Sequence, residues 1–199
     1  MSSQLSSPPR RTLNVRQAET VGKLLDAASD LLDEVGHEQM TVRMVASRAG
    51  VSAATAYTYF ASKDHLFAEL FWRLLVSYPG PGTTGGPGIT GRTPDERVRQ
   101  VATYLAGVIA GAPALAAAVT KSLLGADPEV HRLRLAIGAL WIDQFRQAIG
   151  DDADPDLLET LVFAFSGVLL QAGMGISAYD RLGDVLGRVV GVIMRGSSG

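Results

Sequence analysis

The stretch Ala49-Gly50-Val51-Ser52-Ala53-Ala54-Thr55-Ala56-Tyr57-Thr58-Tyr59-Phe60-Ala61-Ser62-Lys63-Asp64-His65-Leu66 decides the fold. Just before it, Thr41 is placed to cap a short helix whose apolar positions are Val42, Val45, Ala46 and Ala49. Gly50 permits a left-handed turn, Val51 is placed to plug the angle between two helices, and Ser52 to cap the next helix. That helix, Ala53 to about Phe60, is short, and Ser62 caps a further one through Lys63 and Leu66. A helix, a glycine-containing turn and a second helix make the helix-turn-helix pattern, whose second helix enters the major groove of DNA.

The residue types suit that use. Ala53, Ala54 and Ala56 allow close approach to base edges, and Ala or Thr methyls meet thymine methyls. The hydroxyls of Thr41, Ser52, Thr55, Tyr57 and Tyr59, with Thr58 among them, are placed to bond phosphates, Lys63 adds charge, and Arg43 suits a backbone contact. Phe60 reads as core, Arg48 as a solvated charge and His65 as a surface residue near a helix start. His37 and His131 stand alone without metal-ligand spacing, so no metal and no cofactor is expected.

Upstream, Asn14 with Gln17 forms a capping-box pattern, and Val21, Leu24, Leu25, Ala28, Leu31, Leu32 and Val35 share one helical face up to a stop at Gly36. Residues 1–13 read as a disordered basic arm, since Arg10, Arg11 and Arg16 precede the first acid, Glu19. The acids Asp26, Asp30, Asp33, Glu34 and Glu38 belong to a face turned from phosphate.

Downstream, ten of the sixteen residues from Pro79 to Pro94 are Gly or Pro, which reads as a flexible loop or linker. Thr93-Pro94-Asp95-Glu96, Asp127-Pro128 and Asp154-Pro155 are helix starts, and Gly125 and Gly150 are stops. No stretch alternates with period two for long enough to make a strand, so the chain is all-α. Its expected organisation is a three-helix DNA-binding domain at 14–62, a helical domain at 63–195 containing the 79–93 loop, and a tail at 196–199.

At 199 residues, with 47% hydrophobic and 19% charged, the chain supports a packed core rather than disorder. The absence of cysteine excludes disulfides, thiolate metal sites and a thiol nucleophile, and suits the cytoplasm. Net charge is −2, so any case for DNA rests on local placement, such as Arg43, Arg48 and Lys63 against Asp64 alone between residues 40 and 64. Two uncharged windows, Gln100–Thr120 and Thr160–Tyr179, approach the length of a membrane span. Gly111-Ala112-Pro113 breaks the first, and buried helices explain both better than a membrane does.

The quoted stretch resembles the signature of the TetR family of bacterial transcriptional regulators. That signature runs from an Ala-Gly-Val-Ser turn through a Thr-x-Tyr-x-Tyr-Phe recognition helix to a Ser-Lys-Asp-x-Leu start of the next helix. The match covers roughly residues 15–72. It departs at Ala54, where Gly is frequent, and at Ala56, where Leu is frequent. The resemblance implies that Tyr57 contacts phosphate and that the C-terminal helices form a ligand-binding and dimerisation domain. Trp72, Tyr104, Leu105, Val108, Leu123, Trp141, Phe145 and Phe163 would line its largely apolar cavity. Helices 155–176 and 180–195 would pair across a two-fold axis, with the row Gly183, Gly187 and Gly191 letting a partner helix come close.

The expected function is a homodimeric repressor, released from a palindromic double-stranded DNA operator by a small apolar effector. Filling the cavity would shift the helix that begins at Ser62, through Leu66, Leu70 and Trp72. The alternatives are a constitutive DNA-binding regulator, a helical membrane-associated protein, and a helical enzyme. No clustered nucleophile, histidine pair or phosphate-binding glycine loop supports the enzyme.

Overall fold

The computed structural model describes residues 14–150 and 153–196. The basic arm at 1–13 and the tail after Gly196 lie outside them. Among the described residues the chain forms nine α-helices, one 3₁₀ turn and no strand. The first four are α1 (Val15–Gln39), α2 (Val42–Arg48), α3 (Ala53–Tyr59) and α4 (Lys63–Ser77). After the glycine-rich segment come α5 (Pro94–Ala110), α6 (Pro113–Leu123), α7 (Pro128–Ile149), α8 (Pro155–Gly173) and α9 (Leu182–Gly196).

Local chemistry sets most of the boundaries. Asn14 and Thr93 each form a full capping box, with Gln17 and Glu96 reaching back to the cap N–H. Asp127 and Asp154 accept from the N–H groups of Glu129 and Asp156, two residues on, each ahead of a proline at the first helical position. Gly36 leaves the helical region at φ 74° and breaks α1 there, one turn before Gln39. The chain turns by 100° between α5 and α6 at Gly111-Ala112-Pro113, so the first uncharged window is two helices. α8 ends at Gly173, short of the expected 176, and a 3₁₀ turn at Tyr179–Arg181 leads into α9.

α4 joins the two halves. Nine of its fifteen residues are buried, so it is covered by α1 on one side and by α6 and α7 on the other. Leu24, Met40, Val45, Ala56, Phe60 and Leu66 form the N-terminal part of one continuous core; Ile109, Leu133, Phe145, Phe165 and Leu186 belong to its C-terminal part. Segment 79–93 does not act as a spacer between separate bodies. Gln100 on α5 accepts from Thr90 N–H at 2.9 Å and donates to Gly88 O at 2.8 Å, and Gly80 and Pro81 are buried.

The glycine row in α9 serves a different helix from the one expected. Gly183 faces Thr103 of α5, and a Cβ at Gly191 would overlap the Arg99 guanidinium, also on α5. Arg99 Nη1 donates to Gly187 O at 2.6 Å. The small residues therefore let α5 of the same subunit lie close, while a side chain at Gly187 would meet open space.

Candidate nucleic-acid interface and its joint to the C-terminal helices

The turn between α2 and α3 is built as its residue types require. Gly50, at φ 68°, sits just past α2 in the left-handed region. Its N–H donates to Ser47 O at 3.2 Å, and the Val51 N–H reaches back to Ala46 O at 3.0 Å. This pair of bonds is the Schellman arrangement, which stops α2 and redirects the chain. Thr41 Oγ1 accepts from Met44 N–H at 3.2 Å and Ser52 Oγ from Thr55 N–H at 3.0 Å, so both act as caps. With Oγ1 of Thr55 also 2.8 Å from Ser52 Oγ, these hydroxyls shape the turn first.

α3 divides into two faces. Ala56 and Phe60 are fully buried, and Tyr59 packs beside them. Ala54, Tyr57 and Thr58, spaced i, i+3 and i+4, are exposed together, with Ala53 and Thr55 half-buried at the edges. Tyr57 is 46% exposed, enough to carry its hydroxyl clear of the core. Thr58 Oγ1 returns to Ala54 O at 3.0 Å. Arg43 stands exposed on the first turn of α2 with no intramolecular partner among the described residues. Arg43, Ala54, Tyr57 and Thr58 thus offer a cation, a methyl and hydroxyls, a set that suits phosphates and base edges.

Three residues nearby sit differently from expectation. Arg48 is exposed, as expected of a solvated charge, but it is paired. It forms a two-pronged pair with Glu34 of α1 at 2.8 and 2.6 Å, and that hydrogen bond lowers the Glu34 carboxyl and raises the Arg48 guanidinium from their ordinary values. Lys63 donates its ammonium to His37 O at 2.9 Å and Glu38 O at 3.3 Å, holding the end of α1 after the Gly36 break. One of its three N–H groups is left for phosphate.

His65 is buried rather than superficial, because α6 and α7 cover the start of α4. Its ring meets Phe60 edge-on at 5.7 Å, Nδ1 accepts from Ala61 N–H at 3.4 Å, and Nε2 lies 3.6 Å from Glu69 Oε1.

Around His65 lies a polar joint that the sequence reading missed. Ser62 Oγ, the cap of α4, donates to Asp127 Oδ2, the cap of α7, at 2.7 Å. That bond, helped by the N–H groups of Glu129 and Val130 against the effect of burial, holds the Asp127 carboxyl below its ordinary value. Ser122 of α6 donates to Asp64 Oδ1 at 2.7 Å, and Arg132 of α7 donates to Glu69 Oε1 at 3.1 Å. The end of the recognition element is therefore pinned to α6 and α7 by three bridges. Ser62 and Asp127 carry cap signals in the sequence, and nothing local marks the caps as each other's partners.

The eight residues expected to line a cavity are spread between the core and the surface. Trp72, Leu105, Trp141 and Phe145 are buried, while Tyr104, Val108 and Leu123 are half-buried. Phe165 packs edge-to-face against Trp141 at 4.9 Å and Phe145 at 5.9 Å, filling the space between α7 and α8. Phe163 is 66% exposed, because it points from the outer face of α8. A cleft of about 670 Å³ opens instead between α1, α4 and the α5–α6 corner, lined by Asp26, Asp30, Asp33, Leu70, Leu74 and Leu115 among others. A groove of about 610 Å³ beside Arg99, Gln100 and Thr103 includes Tyr104 alone of the eight. α8 is long and apolar enough to cross a membrane by length and composition, with only 22% of its apolar window buried in the subunit.

Known proteins match this geometry. The family model described as bacterial regulatory proteins, tetR family, matches residues 24–70, which take in most of α1, all of α2 and α3, and the first half of α4. An HTH-type transcriptional regulator of Mycobacterium tuberculosis is 42% identical over 93% of this chain and 85% of its own length. The HTH-type transcriptional repressor KstR of Rhodococcus jostii is 30% identical over 68% of this chain and 62% of its own length. Among solved structures, a TetR transcriptional regulator from Rhodococcus sp. RHA1 superposes with a TM-score of 0.71 at 22% identity, over 91% of this chain and 98% of that one. Thermus thermophilus FadR, in complex with lauroyl-CoA, gives 0.63 at 21% identity over 88% and 94%, a likeness of fold. With its helix-turn-helix, its helical C-terminal half and relatives that span nearly its whole length, the chain belongs to the TetR family of DNA-binding transcriptional regulators.

Proposed function

We propose that the chain works in the cytoplasm as a homodimeric repressor, released from a palindromic operator by a small, largely apolar molecule. The observation that carries this reading is the exposed face of α3, where Ala54, Tyr57 and Thr58 stand together, with Arg43 exposed on α2 and without a partner among the described residues. In this reading Ala53, Ala54 and Thr55 read bases, while Tyr57, Thr58, Tyr59, Arg43 and Lys63 hold the backbone, and the caps Thr41 and Ser52 fix the helix positions. The repressor role is supported by the kinship with KstR repressors.

A second copy is the partner that the outer faces of α8 and α9 suit. Phe163 and Val192 are 66% and 63% exposed, and a monomer rarely leaves such apolar surface uncovered. The apolar length of α8 then serves a subunit interface and no membrane. Pairing sets the distance between two α3 helices, which must be about 34–36 Å, or a multiple, to read successive major grooves. The Ser62–Asp127, Asp64–Ser122 and Glu69–Arg132 bridges give an effector a route to that distance, since movement of α6 or α7 drags the start of α4. A coupling of about 1–3 kcal/mol is enough to act as a switch.

A second reading, a constitutive binder, is favoured by the edge-to-face packing of Phe165 on Trp141 and Phe145. Selection of duplexes from a random pool tests the common ground: an inverted repeat with half-sites one helical turn apart, or a multiple, is expected, and no enrichment would refute the regulator. Calorimetry then separates the two readings. A releasing effector must bind more weakly when operator is present, by the same factor that it weakens the operator.

A further inference from the structure

Among the described residues, three buried polar atoms of α7 have no hydrogen-bond partner: Nε of Arg134, whose Nη2 donates to Gly125 O, and the pair formed by Nε1 of Trp141 and Oε1 of Gln144. Both side chains of that pair are more than nine-tenths buried, at 6% and 3% exposed. They lie three residues apart on one face of the helix, next to the Phe145–Phe165 contact. A buried donor and a buried acceptor left unpaired cost stability that apolar side chains of the same size would not. A partner that comes and goes accounts for keeping both.

The way in is marked by the glycine-rich strap at 79–91. Gly80 lies directly on the Gln144 amide, where a Cβ would overlap it. The strap is bonded to itself, Gly82 N–H to Pro87 O at 2.7 Å and Gly86 N–H to Thr83 O at 3.0 Å, and to Gln100 of α5. Among the described residues none of its hydrogen bonds goes to α7. It covers Gln144 by contact alone, so it can lift from α7 while staying tied to α5.

We propose that Trp141 Nε1 and Gln144 Oε1 form the head-group subsite for a neutral ligand that carries both a hydrogen-bond acceptor and a donor on an apolar body, entered beneath the strap at Gly80. A carboxamide or a hydroxyl meets both atoms at once: its oxygen accepts from the indole N–H, and its N–H or O–H donates to the glutamine oxygen. The apolar body takes the place of contacts among Trp141, Phe145 and Phe165. A charged head is excluded, because Asp143 and Arg146, the charges flanking Gln144 on α7, already bond each other at 2.8 Å. This inference rests on the effector reading above and gives the effector its chemistry.

Thermal unfolding of the full chain with millimolar hexanamide, hexanoate or hexylammonium tests it. Hexanamide is expected to raise the wild-type midpoint by about 2 °C or more, and the two ions by less than half as much. Gln144→Leu is expected to unfold at a higher temperature than wild type without ligand and to lose at least about four-fifths of the hexanamide shift. In Trp72→Phe, where Trp141 is the remaining tryptophan, hexanamide should move the emission to longer wavelength. Equal responses to the three compounds, no response to any, or a lower unliganded midpoint for Gln144→Leu would each overturn the subsite. Duplex retention keeps the two ideas apart: wild type and Gln144→Leu should both hold a pool-selected duplex, and its loss from wild type would sink the regulator instead.

Discussion

α3 and α8 are both left partly uncovered by their own subunit, and they expose opposite chemistry. α3 shows water a methyl and hydroxyls from Ala54, Tyr57 and Thr58, while Ala56 and the C-cap Phe60 turn fully inward. α8 buries Leu158, Leu161, Phe165 and Ala172 and shows Phe163 outward. What a surface lacks indicates what it meets. A face rich in hydroxyls suits a hydrated, charged polymer, whereas a face of uncovered hydrocarbon suits another of its kind.

The two phenylalanines give the sharpest way to break this contrast. Phe60→Ala should cost about 3–5 kcal/mol, because the ring is fully buried, and should abolish DNA binding by loosening α3. Phe163→Asp should leave the helix content intact while weakening self-association by about 2 kcal/mol or more, roughly thirtyfold, in a sedimentation experiment. A Phe163→Asp protein that remained dimeric at micromolar concentration would place the interface elsewhere.

The glycines of α9 test whether the row belongs to α5 or to a partner. Gly191→Ala should destabilise by about 1–3 kcal/mol, since its Cβ would press on Arg99. Gly187→Ala meets open space and should gain about 0.5–1 kcal/mol from helix propensity. Chemical denaturation measures both, and a dimer lost through Gly187→Ala would return the row to the subunit interface.

Arg43→Ala and Lys63→Ala compare a cation that has no partner among the described residues with a tethered one. Each should shallow the salt dependence of DNA binding by about 0.9 log units per subunit. Lys63→Ala should also lower stability by roughly 1 kcal/mol, because the His37 and Glu38 carbonyls lose their donor. Identical stabilities for the two variants would contradict the tether.

The smallest effect concerns the joint. Ser62 holds the Asp127 carboxyl below its ordinary value of 3.8, so the stabilisation is complete above that value and is lost as pH falls through the lowered one. The stability gap between wild type and Ser62→Ala should therefore narrow on acidification below about 3.8 and stay level above it. A gap independent of pH would show that the hydroxyl acts only as the α4 cap.

Local signals made one half of the molecule legible. Asn14, Thr41, Ser52, Thr93, Asp127 and Asp154 cap helices where their side chains reach the backbone two or three residues on, and Gly50 stops α2 because the turn needs positive φ. The rest depends on what lies across from a residue. His65 follows a helix start that looks solvated, and only the packing of α6 and α7 buries it. Arg48 and Glu34 are fourteen residues apart, and Ser62 and Asp127 sixty-five, distances over which no periodicity pairs side chains. Phe163 and Phe165 are the same residue type two positions apart, and the helical turn sends one outward and the other inward. The acceptor and donor on Gln144 and Trp141 were invisible because an unpaired atom is a property of its surroundings.

If the exposed face of α3 reads bases while the groups around it hold the backbone, Ala54→Gln must change what is read. Glutamine at this exposed position supplies the paired acceptor and donor that match adenine in the major groove. Duplex selection with wild type and Ala54→Gln, run side by side, should return inverted repeats that differ at one or two positions of each half-site, with salt dependence unchanged. Identical half-sites bound with equal affinity would contradict the account, because a face that touches bases cannot accept a glutamine without reading differently.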